Sequence, residues 1–320
     1  QDGAMPTKVI IDTDPGVDDA LAILLAAVSP ELELLGLTTI FGNCDVVTAT
    51  RNALVLLDVA GLPDVPVARG ATDPIASGYL GAVPQVHGVD GMGDGGPPLE
   101  PSRGPVQESA AEFLCRTVAA NPGEVTLLAV GPLTNLALAL RLRPDLDTLV
   151  DRVVVMGGNA LVPGNATPTA EANIRNDPEA ADLVFGARWP VTMVGLDVTE
   201  KVVLRGADID RVTAADSSAG RHLARALPHY RAFFAANNDV DGIYVHDPSA
   251  VAYLIDPSWF STAAWPVRVE TQGFSRGKTW PDRGGTDDPA PGPWQGRPAV
   301  TICVGVAAQR VVDLVVERLA

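Results

Sequence analysis

A β-branched apolar run, Val9-Ile10-Ile11, leads without a break into Asp12-Thr13-Asp14-Pro15-Gly16-Val17-Asp18-Asp19, and then into a segment whose Leu21, Leu24, Leu25 and Val28 share one helical face. The first part reads as a buried parallel strand and the last as an amphipathic helix. The Pro-Gly pair between them forces a tight turn. Few architectures accept that order, and the simplest is the opening βα unit of an open α/β sheet. Four aspartates fall within eight residues at the junction. Carboxylates this close repel one another unless a cation sits among them, and hard oxygen ligands call for Ca²⁺ or Mg²⁺ rather than zinc. A plainer reading makes Asp12 a turn cap and leaves the others solvated. Loops at the carboxyl ends of parallel strands are also where such sheets place their ligands.

The same strand-then-helix rhythm continues along the chain. Strands are expected at residues 32–40, 65–68, 125–130, 153–156, 191–196 and 299–304. Helices are expected at 46–60, 108–120, 132–140, 178–185 and 305–319. The fold class that follows is α/β: an open, mainly parallel, doubly wound (Rossmann-like) sheet with helices on both faces and the active site at the strand C-terminal ends. Two Gly- and Pro-rich stretches interrupt the rhythm, 71–103 and 271–297, and both read as covers over a site. Neither has the pattern of a domain boundary, so residues 5–320 are expected to form one domain. Residues 1–4, ahead of Met5, read as a cloning remnant.

The chain is 47% hydrophobic, enough to fill a sizeable core, and carries a net charge of −16 with no run of Lys or Arg. That balance speaks against nucleic acid and anionic membrane as partners. Cys44, Cys115 and Cys303 are widely spaced and form no CxxC pair, so neither a disulfide framework nor a zinc site is indicated. A reducing, cytoplasmic setting is the expectation, and no apolar run is long enough to span a bilayer.

Other residues sit where a sheet would add ligand contacts. Asn43 follows the second strand directly, although such a residue often only makes a turn. Val130-Gly131-Pro132-Leu133-Thr134-Asn135 leaves the Val130 carbonyl at a strand tip, and a backbone carbonyl is a good Ca²⁺ ligand. Met156-Gly157-Gly158-Asn159 opens a loop holding Asn165, Glu171 and Asn173, whose side chains suit recognition of sugar hydroxyls. Asp177, ahead of Pro178, reads as a helix cap, a role we do not assign to Glu171 or Asn173. Asp197 stays unassigned. Of four histidines, His87 and His246 lie in Gly- or Asp-rich loops, and a histidine beside a carboxylate loop is a candidate general acid.

Taken together, these motifs resemble a known family. Asp12-Thr13-Asp14-Pro15-Gly16-Val17-Asp18-Asp19 resembles the N-terminal signature of the inosine-uridine preferring nucleoside hydrolases. Gly42-Asn43, His87-Gly88, Gly131-Pro132-Leu133-Thr134-Asn135, Met156-Gly157-Gly158, Gly164-Asn165, Glu171-Ala172-Asn173 and His246-Asp247-Pro248 fall in that family's order and approximate spacing. The resemblance runs from about Lys8 to the C-terminal helix.

It implies Ca²⁺-dependent hydrolysis of the N-glycosidic bond of ribonucleosides. The ion would be held by Asp14, Asp19, the Val130 carbonyl and Asp247, with waters completing the shell. One of those waters would be the nucleophile and Asp14 its general base. Asp18, Asn43 and Asn173 would bind the ribose 2′- and 3′-hydroxyls, Asp247 the 3′-hydroxyl, and Asn165 and Glu171 the 5′-hydroxyl. Met156 would lie under the ribose. His246 is the implied leaving-group acid or base contact, and His87 occupies a second matching position. The family also implies a homodimer or homotetramer. One departure is Ala172, which stands where the family commonly has an aromatic residue. Trp280 is a candidate to stack on the base instead.

Rival readings fit less of the sequence. A haloacid-dehalogenase-like phosphatase would use Asp12 as nucleophile, Asp14 as acid/base and Mg²⁺. It has no need of Asp18-Asp19 and requires a downstream lysine, yet Lys8, Lys201 and Lys278 are the only lysines. A non-catalytic ribose- or nucleoside-binding protein would not need the Asp14, Asp19 and Asp247 set. A hydrolase of another ribosyl compound would keep the whole site.

Overall fold

The computed structural model describes residues 5–285 and 292–320. Residues 1–4, read above as a cloning remnant, and 286–291, within the expected 271–297 cover, lie outside the described residues. The strands are β1 (Thr7–Thr13), β2 (Leu32–Thr39), β3 (Val67–Arg69), β4 (Val125–Ala129), β5 (Arg152–Met156) and β6 (Val191–Val194). They continue with β7 (Val203–Arg205), β8 (Gly242–Tyr244), β9 (Phe260–Val269), β10 (Thr279–Pro281) and β11 (Ala299–Val306). The helices are α1 (Val17–Val28), α2 (Val46–Val59), α3 (Pro84–His87), α4 (Ala110–Ala120), α5 (Thr134–Leu142) and α6 (Ala172–Asn176). After them come α7 (Pro178–Phe185), α8 (Leu196–Thr199), α9 (Gly206–Thr213), α10 (Ser218–Asn238), α11 (His246–Ile255) and α12 (Ala308–Leu319).

Among the described residues, nine strands form one sheet in the order β10-β9-β11-β6-β5-β4-β1-β2-β3. All neighbours from β11 to β3 run parallel, and β9 is antiparallel to both of its neighbours. The expected mainly parallel α/β sheet is therefore what the chain builds. Successive residues of a strand point to opposite faces. Accordingly Val9 and Ile11 join one apolar core with α1, α10, α11 and α12, while Ile10 joins the other with α4, α5 and α7. Burial on both faces is why the central strands read as unbroken Val/Ile/Leu runs.

Several boundaries move. The strand expected to reach Val130 ends at Ala129, and the next helix starts at Thr134 rather than Pro132. The last strand continues through Val306, where it pairs with Phe260, so the closing helix begins at Ala308 and not at 305. The sequence reading also left residues 200–270 nearly blank. They form an antiparallel β7–β8 pair with α9 and the 21-residue α10 between its strands, and then β9, the second strand from the sheet's edge.

Candidate active site

The C-terminal ends of β1, β2, β4 and β5 converge, and each delivers a polar group. Beyond β1 comes Asp14, and Gly16 then caps α1 while the Asp19 carboxylate accepts the Gly16 N–H at 2.9 Å. Asp18 and Asp19 thus sit in the first turn of α1, where acidic side chains suit the exposed N–H groups. The loop after β2 brings Asn43, whose N–H donates to Asp14 Oδ2 at 2.7 Å and whose side-chain amide donates to Asp19 Oδ2 at 3.0 Å. Thr13 Oγ1 donates to Asp19 Oδ1 at 2.5 Å. The start of α11 adds His246 and Asp247.

All these carboxylates are buried. Oxygens of Asp18, Asp19 and Asp247 lie within 4.8 Å of one another. Asp14 Oδ1 and Asp18 Oδ1 are buried with no hydrogen-bond partner among the described residues. Burial lifts Asp18 and Asp19 to about 6, with Asp18 itself adding to the rise at Asp19. Burial and the neighbouring acids hold Asp14 and Asp247 well above the usual carboxylate range. A dense set of hard oxygens with unpartnered members is the donor set that a divalent cation fits.

Asp14 is clamped by glycines. A Cβ on Gly42 would stand 1.9 Å from Asp14 Oδ2, and one on Gly131 would stand 2.6 Å from Asp14 Oδ1. A Cβ on Gly16 would meet His87 Nδ1 at 2.6 Å. These turns need glycine because side chains, not only backbone angles, occupy the space.

Asp18 and Asp247 open into a cavity of about 410 Å³, which Asp14 and Asp19 do not line. Of the residues expected in the site, Asp18, Asn43, His87, Val130, Met156, Asn165, Glu171, Asn173, His246 and Asp247 line it. His87 stacks on Tyr230 at 5.4 Å, accepts the Val17 N–H at 3.2 Å, and lies 3.9 Å from Asp18 Oδ1. His246 Nδ1 pairs with Thr199 Oγ1 at 2.8 Å, leaving Nε2 for other partners. Burial pushes both imidazoles down to about 4, so both are neutral at pH 7. Asn173 donates to the Val130 carbonyl at 2.9 Å and to the Met156 carbonyl at 3.1 Å.

Three readings change. Glu171 was not expected to cap a helix, yet it is the N-cap of α6: its carboxylate accepts the N–H groups of Gly158, Asn173 and Ile174 at 2.8–3.0 Å. A carboxylate offers about four lone-pair sites, so capping and cavity lining coexist. Trp280 does not line the cavity. It lies on β10, 44% exposed, with Lys278 Nζ 5.4 Å from its ring centroid. β9, β11 and β6 separate that edge strand from β5. For the same reason no described residue of 271–297 lines the cavity, whereas 71–103 contributes Val83, Gln85, Val86 and His87. Asp177 is the cap it was read to be, accepting from Ala180 N–H at 3.0 Å. Asp197 is buried and accepts the Ala160 and Leu161 N–H groups, both at 2.7 Å.

The sequence reading missed the aromatic wall formed by Tyr230, Phe233, Phe234 and Tyr244. The first three follow i, i+3, i+4 spacing on α10, which an ordinary core-facing helix shares.

Comparison with known proteins identifies the family. Residues 9–313 match the family model described as inosine-uridine preferring nucleoside hydrolase. The chain is 42% identical over 312 residues to uridine nucleosidase 1 of Arabidopsis thaliana, covering 98% of this chain and 93% of that protein. It is also 42% identical over 270 residues to the inosine-uridine preferring nucleoside hydrolase of Crithidia fasciculata, covering 84% and 85% respectively. A solved structure of a plant nucleoside hydrolase, PpNRh1, superposes with a TM-score of 0.95 at 40% identity over 98% of this chain and 99% of that one.

Proposed function

Because the chain belongs to the inosine-uridine preferring nucleoside hydrolase family and is an N-glycosidase by that membership, we propose that it hydrolyses pyrimidine ribonucleosides, uridine foremost, with Ca²⁺ at the carboxylate cluster. The observation that carries the reading is the set of buried carboxylates Asp14, Asp18, Asp19 and Asp247, of which Asp18 and Asp247 line the cavity, with two carboxylate oxygens unpartnered. Asp14, Asp19, Asp247 and the Val130 carbonyl would hold the ion, with Asp18 adjacent. When bound, it supplies acidification of water and an anchor for sugar hydroxyls.

The residues divide the remaining work. Asp14 has one oxygen pinned by the Asn43 N–H and the other free, and it takes the proton from the attacking water. Asp18, Asn43, Asn173 and Asp247 hold the ribose 2′- and 3′-hydroxyls, and Asn165 and Glu171 the 5′-hydroxyl. Met156 lies beneath the sugar. Positive charge develops on the sugar as the bond to the base breaks, and the buried carboxylates stabilise it electrostatically. His246 Nδ1 is held by the Thr199 hydroxyl, which leaves Nε2 as the contact for the departing base. Trp280 takes no part. Relatives 41–42% identical are named uridine nucleosidase, which favours uridine within the family's range.

Incubation with uridine, cytidine, inosine, adenosine and guanosine, scored for free base and reducing sugar, tests this. Uracil and ribose in equal amounts, formed fastest from uridine, are expected. Absence of ribose from every nucleoside would overturn the reading.

A further inference from the structure

Lys278 is the buried one of three lysines, 7% exposed at the entry to β10. Its ammonium donates to the carbonyls of Asn159 and Val162, the latter at 3.3 Å, and lies over the Trp280 ring. On the same segment the buried Asp197 carboxylate takes the N–H groups of Ala160 and Leu161. Residues 159–162 are thus held by a cation on their carbonyls and an anion on their amides, contacts roughly twice as strong as neutral ones. Burial pulls the Lys278 pKa below its ordinary 10.5, and Asp197 opposes the fall. Asn159 carries the grip onward. Its side-chain amide donates to the Val162 carbonyl at 2.9 Å and to the Thr169 carbonyl at 3.0 Å, which closes the two ends of the 162–169 loop. Asn165 rides on that loop, exposed at the rim of the cavity. Its Oδ1 accepts the Ala172 N–H at 3.1 Å, so its Nδ2 is the end left for a ligand oxygen.

Resting on the placement of the ribose 5′-hydroxyl at Asn165 and Glu171 proposed above, we infer that Lys278 is a positioning residue for nucleoside recognition: by fixing residues 159–162 it sets where Asn165 meets the 5′-hydroxyl. Lys278 does not line the cavity and acts only through the loop it props. Glu171 is fixed separately, by the N–H groups of Gly158, Asn173 and Ile174. Loss of the ammonium leaves neither carbonyl bare, because Thr279 Oγ1 still donates to the Asn159 carbonyl and Asn159 Nδ2 to that of Val162. A neutral side chain of similar length therefore loosens the loop without leaving buried groups unpaired, and the fold survives. Asn165 then loses its aim, and a misplaced recognition group costs affinity even far from the reacting bond.

The test compares kcat/KM for uridine and for 5′-deoxyuridine in the wild-type protein, Lys278→Met and Lys278→Gln, each with a thermal melt. The wild type is expected to favour uridine by about tenfold or more, because a site built to bond a hydroxyl rejects the analogue lacking it. Lys278→Met is expected to cut that preference about fivefold through the uridine KM, with 5′-deoxyuridine within about twofold of wild type. Lys278→Gln, which keeps N–H donors without the charge, should fall between the two. A merely structural loss would slow both substrates alike, and a ratio unmoved by the substitutions overturns the inference. So does a wild type indifferent to the 5′-hydroxyl, or failure of both variants to fold. A wild type that releases no uracil from uridine overturns the hydrolase reading instead. Calorimetry with methyl β-D-ribofuranoside and its 5-deoxy form then reads the same preference, which falls in Lys278→Met if Lys278 aims Asn165 and is unchanged if it does not; no binding of either glycoside overturns both readings.

Discussion

Replacing Gly42 by alanine adds one methyl group at the most crowded point of the site. The new Cβ would stand 1.9 Å from Asp14 Oδ2 and 2.8 Å from Asp14 Cγ, with Pro132 Cδ at 3.2 Å. Real Cβ atoms essentially never approach closer than 3.0 Å, so the carboxylate must retreat by about 1 Å in an interior that does not compress. Its retreat is obstructed, because Asp14 Oδ1 already faces Gly131 at a distance that leaves no room for a Cβ there either. Asp14 therefore rotates, loses the 2.7 Å bond from the Asn43 N–H, or pushes the β2 loop outward. A displacement of about 1 Å at a reacting group costs on the order of a hundredfold in rate. Overpacking costs about 1–3 kcal/mol of stability, which leaves the fold intact. Gly131→Ala needs only a few tenths of an ångström, so its rate loss is expected to be nearer tenfold, about 1.4 kcal/mol in the barrier. Ribose release from uridine at saturating Ca²⁺, with a thermal melt of each variant, measures both quantities. A Gly42→Ala protein that keeps more than about a third of wild-type kcat/KM would refute the claim that Asp14 is clamped for catalysis.

Three further outcomes follow from the same geometry. Burial raises the folded-state pKa of Asp18 and Asp19 to about 6 from an ordinary value of 3.8. Stabilisation from this source is thus full below about pH 4 and is lost as pH rises through 6. In the metal-free protein Tm should fall across that window, and Ca²⁺ at a hundredfold its Kd should restore about 2.7 kcal/mol at pH 7; calorimetry showing no effect of Ca²⁺ at pH 7 would contradict the site. His246→Ala should slow purine and pyrimidine nucleosides unequally, and Thr199→Val should do the same more weakly by freeing Nδ1; equal small effects on every nucleoside would remove His246 as the leaving-group contact. Asn135→Ala should destabilise by about 3 kcal/mol, since it leaves buried polar groups unpaired. The Asn135 amide donates to Asp12 Oδ1 at 2.7 Å and to the Thr39 carbonyl at 3.0 Å, and its oxygen accepts the Ala71 N–H at 3.0 Å. Chemical denaturation checks it, and a loss under about 1 kcal/mol would refute the tie.

Asp14, Asp18 and Asp19 were legible because the reason for them is local: four acids crowded between a buried strand and a helix demand a counter-charge wherever the rest of the chain goes. Asn173 and Asp247 carry no such local reason. Each looks like an ordinary polar residue near a helix start; side-chain type alone suggested Asn173 for sugar hydroxyls, and resemblance to a family brought in Asp247. Gly42 and Gly131 were read as a turn and a strand exit, because nothing in the chain reveals that the Asp14 carboxylate presses on both. Trp280 was misjudged because a large aromatic in a Gly-rich stretch looks available, whereas pairing of Thr279–Pro281 with Val267–Val269 fixes it at the far edge of the sheet. The aromatic wall on α10 escaped notice because its spacing is that of any buried helical face. Glu171 shows the limit of choosing one role per residue, since its backbone bonds and its place in the cavity use different lone pairs.

The most direct test of the central claim is ribose formation from uridine by one preparation before metal stripping, after it, and after Ca²⁺ is returned. Ribose and uracil in equal amounts are expected before stripping, with loss of turnover after it and recovery when Ca²⁺ is restored. Undiminished ribose release from the fully stripped protein would contradict the claim that the buried carboxylates act around a cation.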